Sequence, residues 1–448
     1  MLFQQSFPKD KRTIGAIIVV TLMLALLISY SFQTAAAQPA MGALAQSEDC
    51  LPAITVTSAA DSGPGTLRQA LVDVCDEGEV DFDLPQPATI TLTSGELVIT
   101  RTMTIQGPGA SMLGISGNNA SRVFNVSGSG VAIRGLTIRD GHISGDGGGI
   151  YNTGSLSVQD SVIFSHYSGH DGGGVMNNAG TLFIIATLVR DNTAHGGAGI
   201  FTAHGTTVVS HARVLSNISN DDGGGVTNDG GRVIINNSTI SGNITSDLGG
   251  GVHNRGDTPI MLLSQCALTN NHAGGKGGGI SNEEADLILV FNTTVSGNVT
   301  SLGGGIYNRV GLIYLQGSTI TANQASTGGG VNSYVHAQSQ VYVNNSIIAN
   351  NLAGEQCVGA PLISLGYNLS GDGSCNLTGP GDLPNTDPLL GPLQDNGGPT
   401  LTHALLSGSL AIDAGNNDTC LPTDQRGIPR PQGPACDIGA YEVEVTPP

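Results

Sequence analysis

Residues 223–254 read GGGVTNDGGRVIINNSTISGNITSDLGGGVHN, and this stretch contains one full copy of a pattern that recurs eight times. Each copy begins with a glycine triplet, continues with a β-branched aliphatic residue and usually has an asparagine three positions after the triplet. The triplets begin at Gly147, Gly172, Gly197, Gly223, Gly249, Gly277, Gly303 and Gly328, with alanine in the middle of the third. The resulting period of 25 to 28 residues is typical of a solenoid in which each copy forms one coil.

Within one repeat, inward apolar residues alternate with other residues, as at Val233 and Ile235. After the polar pair Asn236 and Asn237 the alternation continues one position out of step, at Ile240. Alternation indicates a β-strand, and the polar pair that shifts the phase indicates a corner. We therefore predict about three short strands in each coil. Because the repeat leaves no room for a helix, equivalent strands of successive coils should pair in parallel, about 4.8 Å apart. The sequence predicts an all-β protein, a parallel β-helix of about ten or more coils.

Three columns of equivalent residues support this fold. The residues after the triplets are all aliphatic and predict a buried stack: Ile150, Val175, Ile200, Val226, Val252, Ile280, Ile306 and Val331. Two further columns are mostly asparagine: Asn152, Asn177, Asn228, Asn254, Asn282 and Asn308, and Asn192, Asn217, Asn243, Asn271, Asn298, Asn323 and Asn351, with His166 in the first coil. Asparagine tolerates left-handed backbone and its amide can bond to the coils above and below, so we expect both columns at tight bends, in a structural role.

The two ends of the chain differ from the repeats. A basic stretch precedes the apolar run from Ile14 to Tyr30, and Ala35 to Ala37 offer a small-residue cleavage site, which predicts a signal peptide; an uncleaved membrane anchor is the alternative. Thr66 and Gln69 predict a capped short helix. The expected organisation is a signal peptide at 1–37, an N-terminal cap at 38–90, the β-helix at 91–353 with regular coils from 141, and a C-terminal cap at 354–448.

Composition narrows the classes of partner. The chain has 67 glycines, no tryptophan and only 11% charged residues, with a formal charge of −19 that becomes −21 without the predicted signal peptide. An acidic, lysine-poor surface argues against nucleic acid and anionic membranes, and it suits divalent cations. The triplets lack a following helix pattern and a Lys-Ser/Thr pair, so they are not phosphate loops. We expect a secreted or cell-surface monomer without an organic cofactor, and the candidate ions are Ca²⁺ and Zn²⁺.

Six of the seven cysteines lie outside the regular coils. In an exported protein they predict disulfides between sequence neighbours, although six cysteines allow 15 connectivities. The predicted pairs are Cys50 with Cys75, Cys357 with Cys375, and Cys420 with Cys436. The seventh, Cys266, falls in a column of small residues and is expected to be a buried, inert thiol.

The two ends of the mature chain resemble bacterial choice-of-anchor Q proteins. The similar stretches are Ile54 to Ala70 (ITVTSAADSGPGTLRQA), Asp387 to His403 (DPLLGPLQDNGGPTLTH), Ala411 to Gly415 (AIDAG), Asp424 to Gly427 (DQRG) and Asp437 to Glu442 (DIGAYE). The resemblance implies a secreted or surface-attached right-handed β-helix of the pectin-lyase-like type, generally without an established activity. The repeats are also similar to those of chlamydial polymorphic outer-membrane adhesins, which favours adhesion.

One set of residues suggests chemistry instead. The position two before each triplet holds His170, His195, Asp221 and Asp247 on four successive coils. The next position adds Asp146, Asp171 and Asp222. Coil spacing would crowd these groups into one patch, in which Asp146, Asp171, Asp221, Asp222 and Asp247 are the candidate metal ligands. The alternative is a solvated loop ridge that only requires polar residues.

Enzymes of this fold that act on polysaccharide require particular catalytic residues, and the sequence can be compared with those requirements. A lyase needs a base and usually acidic calcium ligands, and Lys276 is the only lysine of the regular coils. Hydrolases of the fold carry Asn-Thr-Asp, Asp-Asp and His-Gly in successive coils, but here Asn385-Thr-Asp387 is remote in sequence from Asp221-Asp222. We therefore favour a non-catalytic structural or adhesive solenoid. The alternatives are a polysaccharide lyase or hydrolase and a module that binds an extracellular glycan, with His170, His195, Asp221 and Asp247 as candidate catalytic residues.

Overall fold

The computed structural model describes residues 50–284 and 287–444, and these residues coil into a parallel β-helix as the repeat predicts. Strands of successive coils pair in parallel throughout, and a two-stranded hairpin near the C-terminus is antiparallel. Each regular coil contributes one strand to each of four sheets, here numbered 1 to 4 in the order in which the chain visits them after a glycine triplet.

Sheets 1 and 2 form the two walls that follow the triplets, with 11 and 13 strands. The strands of sheet 1 are Leu97–Ile99, Phe124–Val126, Ile150–Asn152, Val175–Asn178, Ile200–Ala203, Val226–Asp229, Val252–Arg255, Ile280–Asn282, Ile306–Asn308, Val331–Ser333 and Cys357–Gly359. The strands of sheet 2 are Leu51–Val56, Val74–Phe82, Met103–Gln106, Ser129–Arg134, Ser155–Gln159, Thr181–Ile185, Thr206–Ser210, Arg232–Asn236, Ile260–Ser264, Leu287–Phe291, Gly311–Gln316, Ser339–Asn344 and Ile363–Ser364.

Sheets 3 and 4 complete each coil, with 12 and 8 strands. The strands of sheet 3 are Ala88–Thr91, Leu113–Ser116, Thr137–Arg139, Val162–Phe164, Leu188–Arg190, Arg213–Leu215, Thr239–Ser241, Ala267–Thr269, Thr294–Ser296, Thr319–Thr321, Ile347–Ala349 and Leu369–Ser370. The strands of sheet 4 are His142–Ile143, Tyr167–Ser168, Thr193–Ala194, Ile218–Ser219, Ile244–Thr245, His272–Ala273, Val299–Leu302 and Gln324–Thr327. Sheet 4 makes four strands in each coil instead of the predicted three, because its strands, mostly of two residues, are too short to show alternation.

The predicted aliphatic stack is the interior of the β-helix. Its members are direct partners in successive strands of sheet 1, for example Ile150 with Val175 and Val226 with Val252. All of them are fully buried and belong to one continuous core with the inward residues of sheets 2 and 3.

The second asparagine column forms an unbroken hydrogen-bonded ladder, which we call the asparagine ladder. From Asn192 to Asn351, each Nδ2 donates to the Oδ1 of the next member at 2.8–3.0 Å. The left-handed residue of this bend is the one before each ladder asparagine, such as Asp191 or Asn270, so the ladder asparagines lie at the bend as predicted.

A short helix, α1, occupies the N-terminal end at Leu67–Asp73. The Thr66 hydroxyl accepts a hydrogen bond from the Gln69 backbone N–H at 3.3 Å, as the capping motif predicts. Leu67, Ala70 and Leu71 are buried in the same core as the first coils.

The C-terminal segment, residues 387–444, covers part of the side of the β-helix. The sequence predicts only a cap at the end of the coils. It contains the hairpin of Leu390–Gln394 and Thr402–Leu405, and it follows a 3₁₀ turn at Gly373–Cys375. Its His403 Nε2 lies 2.9 Å from the Ser296 hydroxyl, and its Ala440 N–H donates to the Thr319 hydroxyl at 3.0 Å. The outer surface of sheet 3 is therefore covered in its later coils and open in its earlier ones.

Two disulfides join Cys357 to Cys375 and Cys420 to Cys436, the pairs that the sequence indicates. Cys50 and Cys75 are also disulfide-bonded cysteines, whereas Cys266 is a buried free thiol whose pKa burial raises to about 12. No helix within residues 50–284 and 287–444 has the length and apolar character needed to cross a membrane. The predicted signal peptide, 1–37, lies outside the described residues.

Candidate functional site

The loops that precede the glycine triplets lie against the outer surface of sheet 1. A Cβ atom on Gly223 would lie 1.7 Å from the Thr227 Oγ1 atom, and one on Gly249 would lie 2.7 Å from the His253 Cβ atom. Both glycines have positive φ angles, of 65° and 69°. Glycine at the first triplet position thus lets the loop close over the following strand. Residues just before a triplet come to lie beside the outward side chains of sheet 1.

Three carboxylates of the predicted patch meet at this loop. Asp221, Asp222 and Asp247 each offer an oxygen, and these oxygens all lie within 4.8 Å of one another. We call these residues the acidic trio. Asp222 is the most buried of the three, and its Oδ1 accepts a hydrogen bond from the Leu248 backbone N–H at 3.3 Å. The other two carboxylates are more open to solvent.

Burial raises the pKa of Asp222 to about 6, and the negative charges of Asp221 and Asp247 act in the same direction. The guanidinium of Arg255 opposes the shift. A carboxylate with a raised pKa among like charges is stabilised by a bound cation or by a proton. The acidic trio therefore has the oxygen ligands and the charge that suit Ca²⁺.

Arg255 links the acidic trio to sheet 1. Its Nη1 donates to Asp222 Oδ2 at 2.8 Å, and its Nε donates to Asp229 Oδ2 at 3.1 Å. The guanidinium carbon also lies 5.8 Å from the centre of the Phe201 ring. These contacts hold the positively charged guanidinium of Arg255 at the edge of the trio, on the side that faces sheet 1.

Lys276 occupies the equivalent loop position two coils after Asp222, as its backbone pairing with Leu248 shows. Its Nζ lies 3.6 Å from Glu283 Oε1 and 5.0 Å from the centre of the Tyr307 ring. Burial opposes the charge on Lys276, but Glu283 and the Tyr307 hydroxyl outweigh burial and raise the lysine pKa. Arg309 Nη1 also bonds to Glu283, at 3.1 Å. The surface beside the trio thus carries Arg255, Lys276 and Arg309.

The two predicted histidines lie at the rim of this surface. His195 Nδ1 is 3.8 Å from Asp221 Oδ2, and His170 Nδ1 is 3.9 Å from Asp146 Oδ1, both beyond hydrogen-bond distance. Their side chains are 61% and 71% exposed. The structure therefore places His195 next to the trio and His170 beside a different carboxylate.

Two other predicted ligands lie outside the trio. Asp171 pairs with Gly196 in the loop column, so it lies two coils before Asp222, and Asp146 lies three coils before it. Burial raises the pKa of Asp171, and Arg255 opposes that shift. The hydrolase-like pieces are not assembled either: Thr386 bonds to the backbone of Ser370 at the end of the β-helix.

The outward column of sheet 1 adds a histidine that the sequence does not place in the patch. His253 is 1% exposed, and neither of its ring nitrogens has a hydrogen-bond partner within the described residues. Its Nε2 lies 4.0 Å from Asp222 Oδ2, and burial lowers its pKa to about 3. The available signal was a change in one column, from Tyr151, Met176 and Phe201 to Thr227, His253 and Ser281.

Comparison with known proteins supports the fold. Neither a family model nor a curated protein matches the chain. Among solved structures, pectate lyase Pel9A is similar at 14% identity over 88% of this chain and 96% of that chain, with a TM-score of 0.50. A mutant of the PL6 family alginate lyase AlyGC is similar at 12% identity over 83% of this chain and 60% of that one, with a TM-score of 0.48.

A mannuronic acid specific polysaccharide family 6 lyase from human gut microbiota is also similar, at 13% identity over 66% of this chain and 75% of that one, with a TM-score of 0.37. At these identities the likeness shows the fold alone. The described residues form a right-handed parallel β-helix like that of pectate lyase Pel9A, and membership of the choice-of-anchor Q family stays a prediction.

Proposed function

We propose that this protein acts outside the cell on an acidic polysaccharide, as a calcium-dependent lyase. The observation that carries the proposal is the acidic trio with Arg255 at its edge and Lys276 two coils away on the same surface. The likeness in fold to pectate lyase Pel9A and the presence of disulfides support it. This proposal replaces the non-catalytic structural or adhesive role that the sequence alone favours.

The chemistry of elimination explains why these residue types belong together. In a uronate polymer, the proton on the carbon next to the carboxylate becomes acidic when the carboxylate charge is neutralised. Bound Ca²⁺ would supply that neutralisation, and Arg255 and Arg309 would hold further carboxylates of the chain. A base removes the proton, a carbon–carbon double bond forms, and the bond to the glycosidic oxygen breaks, with that oxygen taking a proton from solvent water.

Lys276 is our candidate base. Only its neutral form can accept the proton, and its raised pKa means that this form is scarce at neutral pH. The rate should therefore increase with pH over the alkaline range, as the lysine loses its proton and its attraction to Glu283.

The test follows unsaturated products by their ultraviolet absorbance. We expect product from polygalacturonate or alginate with Ca²⁺, little with a chelator, and none from neutral glucans. Lys276→Gln should reduce the rate by about 100-fold or more, whereas Arg213→Gln, an exposed cation on sheet 3, should leave it unchanged. Absence of product from every acidic polymer, or equal rates for Lys276→Gln and the unmodified protein, would contradict the lyase proposal.

A non-catalytic glycan-binding or adhesive solenoid is the second candidate. The observation that favours it is the ion pair of Lys276 with Glu283, which leaves the lysine charged and already engaged. This alternative predicts retention of an acidic glycan without release of product. It also predicts that cells carrying the protein attach to a surface that deletion strains do not, and equal attachment would exclude the adhesive role.

A further inference from the structure

Three buried polar side chains on successive coils have no partner within the described residues. Thr227, His253 and Ser281 are direct partners in adjacent strands of sheet 1, and we call them the unpaired column. Each is at most 1% exposed, and the two hydroxyls and both imidazole nitrogens make no hydrogen bond there. A buried polar group without a partner costs about 1–3 kcal/mol, so a ligand-bound state that engages it would remove this cost.

His253 is the one member of the unpaired column that is aimed at a charged group. Its Nε2 lies 4.0 Å from Asp222 Oδ2, about 1 Å beyond a hydrogen bond. That oxygen already accepts from Arg255 Nη1 at 2.8 Å and has a second lone pair free to accept another. Gly249 packs against the base of the His253 side chain, because a Cβ atom placed on this glycine would lie 2.7 Å from the His253 Cβ atom.

We propose that His253 is a positioning residue for Asp222: its Nε2–H donates to Asp222 Oδ2 and orients the carboxylate when the acidic trio holds a divalent cation. The inference rests on the cation site of the proposed function, and it adds a residue that binds no cation itself. A small rotation of the Asp222 carboxyl toward the ring would close the gap. Such outer partners of a ligating group typically change metal affinity by about 10–100-fold when removed.

The test is calorimetric titration of the full chain, expressed for export, with calcium chloride. His253→Leu keeps the bulk and removes the donor, and His253→Gln keeps a donor close to the position of Nε2. We expect His253→Leu to weaken calcium binding by about tenfold or more and His253→Gln to restore it to within about threefold of the unmodified protein. Ser281→Ala, one coil along in the same column, is the matched control and should bind calcium like the unmodified protein.

Each result separates this inference from the proposed function. Equal calcium affinity in all four proteins would overturn the role of His253 and leave the cation site standing. Equal weakening in the leucine and glutamine variants would also overturn it, since the donor would then not matter. No calcium binding by the unmodified protein would overturn the cation site itself. Circular dichroism and thermal unfolding without calcium establish that the variants fold, so that weaker binding reports on the site.

Discussion

The β-helix stacks polar side chains in two columns that behave in opposite ways. In the asparagine ladder, every amide donates to the next coil, and the backbone N–H of each member also bonds to its neighbour's Oδ1. In the unpaired column, Thr227, His253 and Ser281 are equally buried and have no partner within the described residues. The first column satisfies itself and stabilises the coils, whereas the second leaves its polar atoms without hydrogen bonds within the described residues.

This difference separates structure from function in a repeat protein. A column that repeats one residue type can hydrogen-bond to itself indefinitely, as the asparagine ladder does from Asn192 to Asn351. A column that changes type from coil to coil, as at Phe201, Thr227 and His253, cannot do so. Irregularity within a regular array therefore marks the place where we propose a ligand site.

The largest expected effect comes from breaking the ladder. Asn271→Ala removes the Oδ1 that accepts from Asn243 and the Nδ2 that donates to Asn298 and to the Ile240 carbonyl. Several buried groups lose their partners, so the free energy of unfolding should fall by about 4 kcal/mol. Urea unfolding measures this loss, and Thr239→Ala on the open surface of sheet 3 is the control. A loss below about 1 kcal/mol would show that the ladder is not a major source of stability.

The next largest effect is a dependence of the free energy of unfolding on pH that comes from His166, which occupies the first coil of the asparagine column. His166 Nδ1 accepts from the Gly141 N–H at 2.8 Å, its Nε2 lies 3.0 Å from the Ile138 carbonyl, and burial lowers its pKa to about 4. The unfolded chain takes up this proton near pH 6.5, so this histidine destabilises the folded state progressively as pH falls from about 6.5 to about 4.

The expected size of that loss is about 2–3 kcal/mol at pH 4, because one pKa unit corresponds to about 1.4 kcal/mol. His166→Asn continues the ladder without an ionisable group, so the difference in unfolding free energy between the two proteins should change over this range of pH. His272→Asn, at an exposed position, is the control. A constant difference across pH 4 to 7 would contradict the assignment of His166 as a buried neutral rung.

A smaller effect of opposite sign is expected in the unpaired column. His253→Leu exchanges a buried imidazole without partners for an apolar side chain, so the calcium-free protein should be as stable as before or gain up to about 1 kcal/mol. Thermal unfolding in the presence of a chelator measures this. A loss of several kcal/mol would mean that His253 is bonded in the folded protein and that the contrast between the columns is false.

The smallest effect is expected at Cys266. Its sulfur lies 3.3 Å from the Ile235 carbonyl and 3.2 Å from the Ser264 carbonyl, positions that a serine hydroxyl can also use. Cys266→Ser should change the free energy of unfolding by less than about 1 kcal/mol, as most neighbours in its column are Ser or Thr. The native thiol should resist alkylation until the protein unfolds, since burial raises its pKa to about 12. Rapid native labelling would contradict this.

The sequence predicts the fold well because residues that are one repeat apart in sequence lie above one another on successive coils. The aliphatic stack from Ile150 to Val331 and the order of the strands follow directly from the positions of the triplets. Sheet 4 was missed, since two residues such as Tyr167 and Ser168 carry no alternation. The path of the C-terminal segment along sheet 3 could not be predicted, because its contacts link residues such as Thr294 and Gln425 that are far apart in sequence.

The sequence predicts only the part of the candidate site that lies in the loops before the triplets, because contacts between these loops and sheet 1 do not follow from the repeat. Asp221, Asp222 and Asp247 occupy one loop column on adjacent coils, so their positions predict the acidic trio. Arg255 and His253 reach the same place from sheet 1, and their distance from Asp222 depends on how closely the loop packs against that sheet.

Several charged residues lie in the stretches near the C-terminus that resemble choice-of-anchor Q proteins. Asp424, Arg426 and Glu442 are buried there and bond within the segment. Arg426 Nε donates to Asp424 Oδ2 at 2.9 Å, and Glu442 accepts from the backbone N–H groups of Gln432 and Asp437 at 2.8 and 2.9 Å. These contacts hold the C-terminal segment together.

The most direct test of the central claim is a crystal structure of the protein soaked with Ca²⁺ and a short uronate oligosaccharide. Our account predicts a cation held by Asp221, Asp222 and Asp247, with the sugar chain along the loops that precede the glycine triplets and its carboxylates near Arg255 and Lys276. Sugar bound on another face, or a trio that remains empty at saturating Ca²⁺, would contradict the claim.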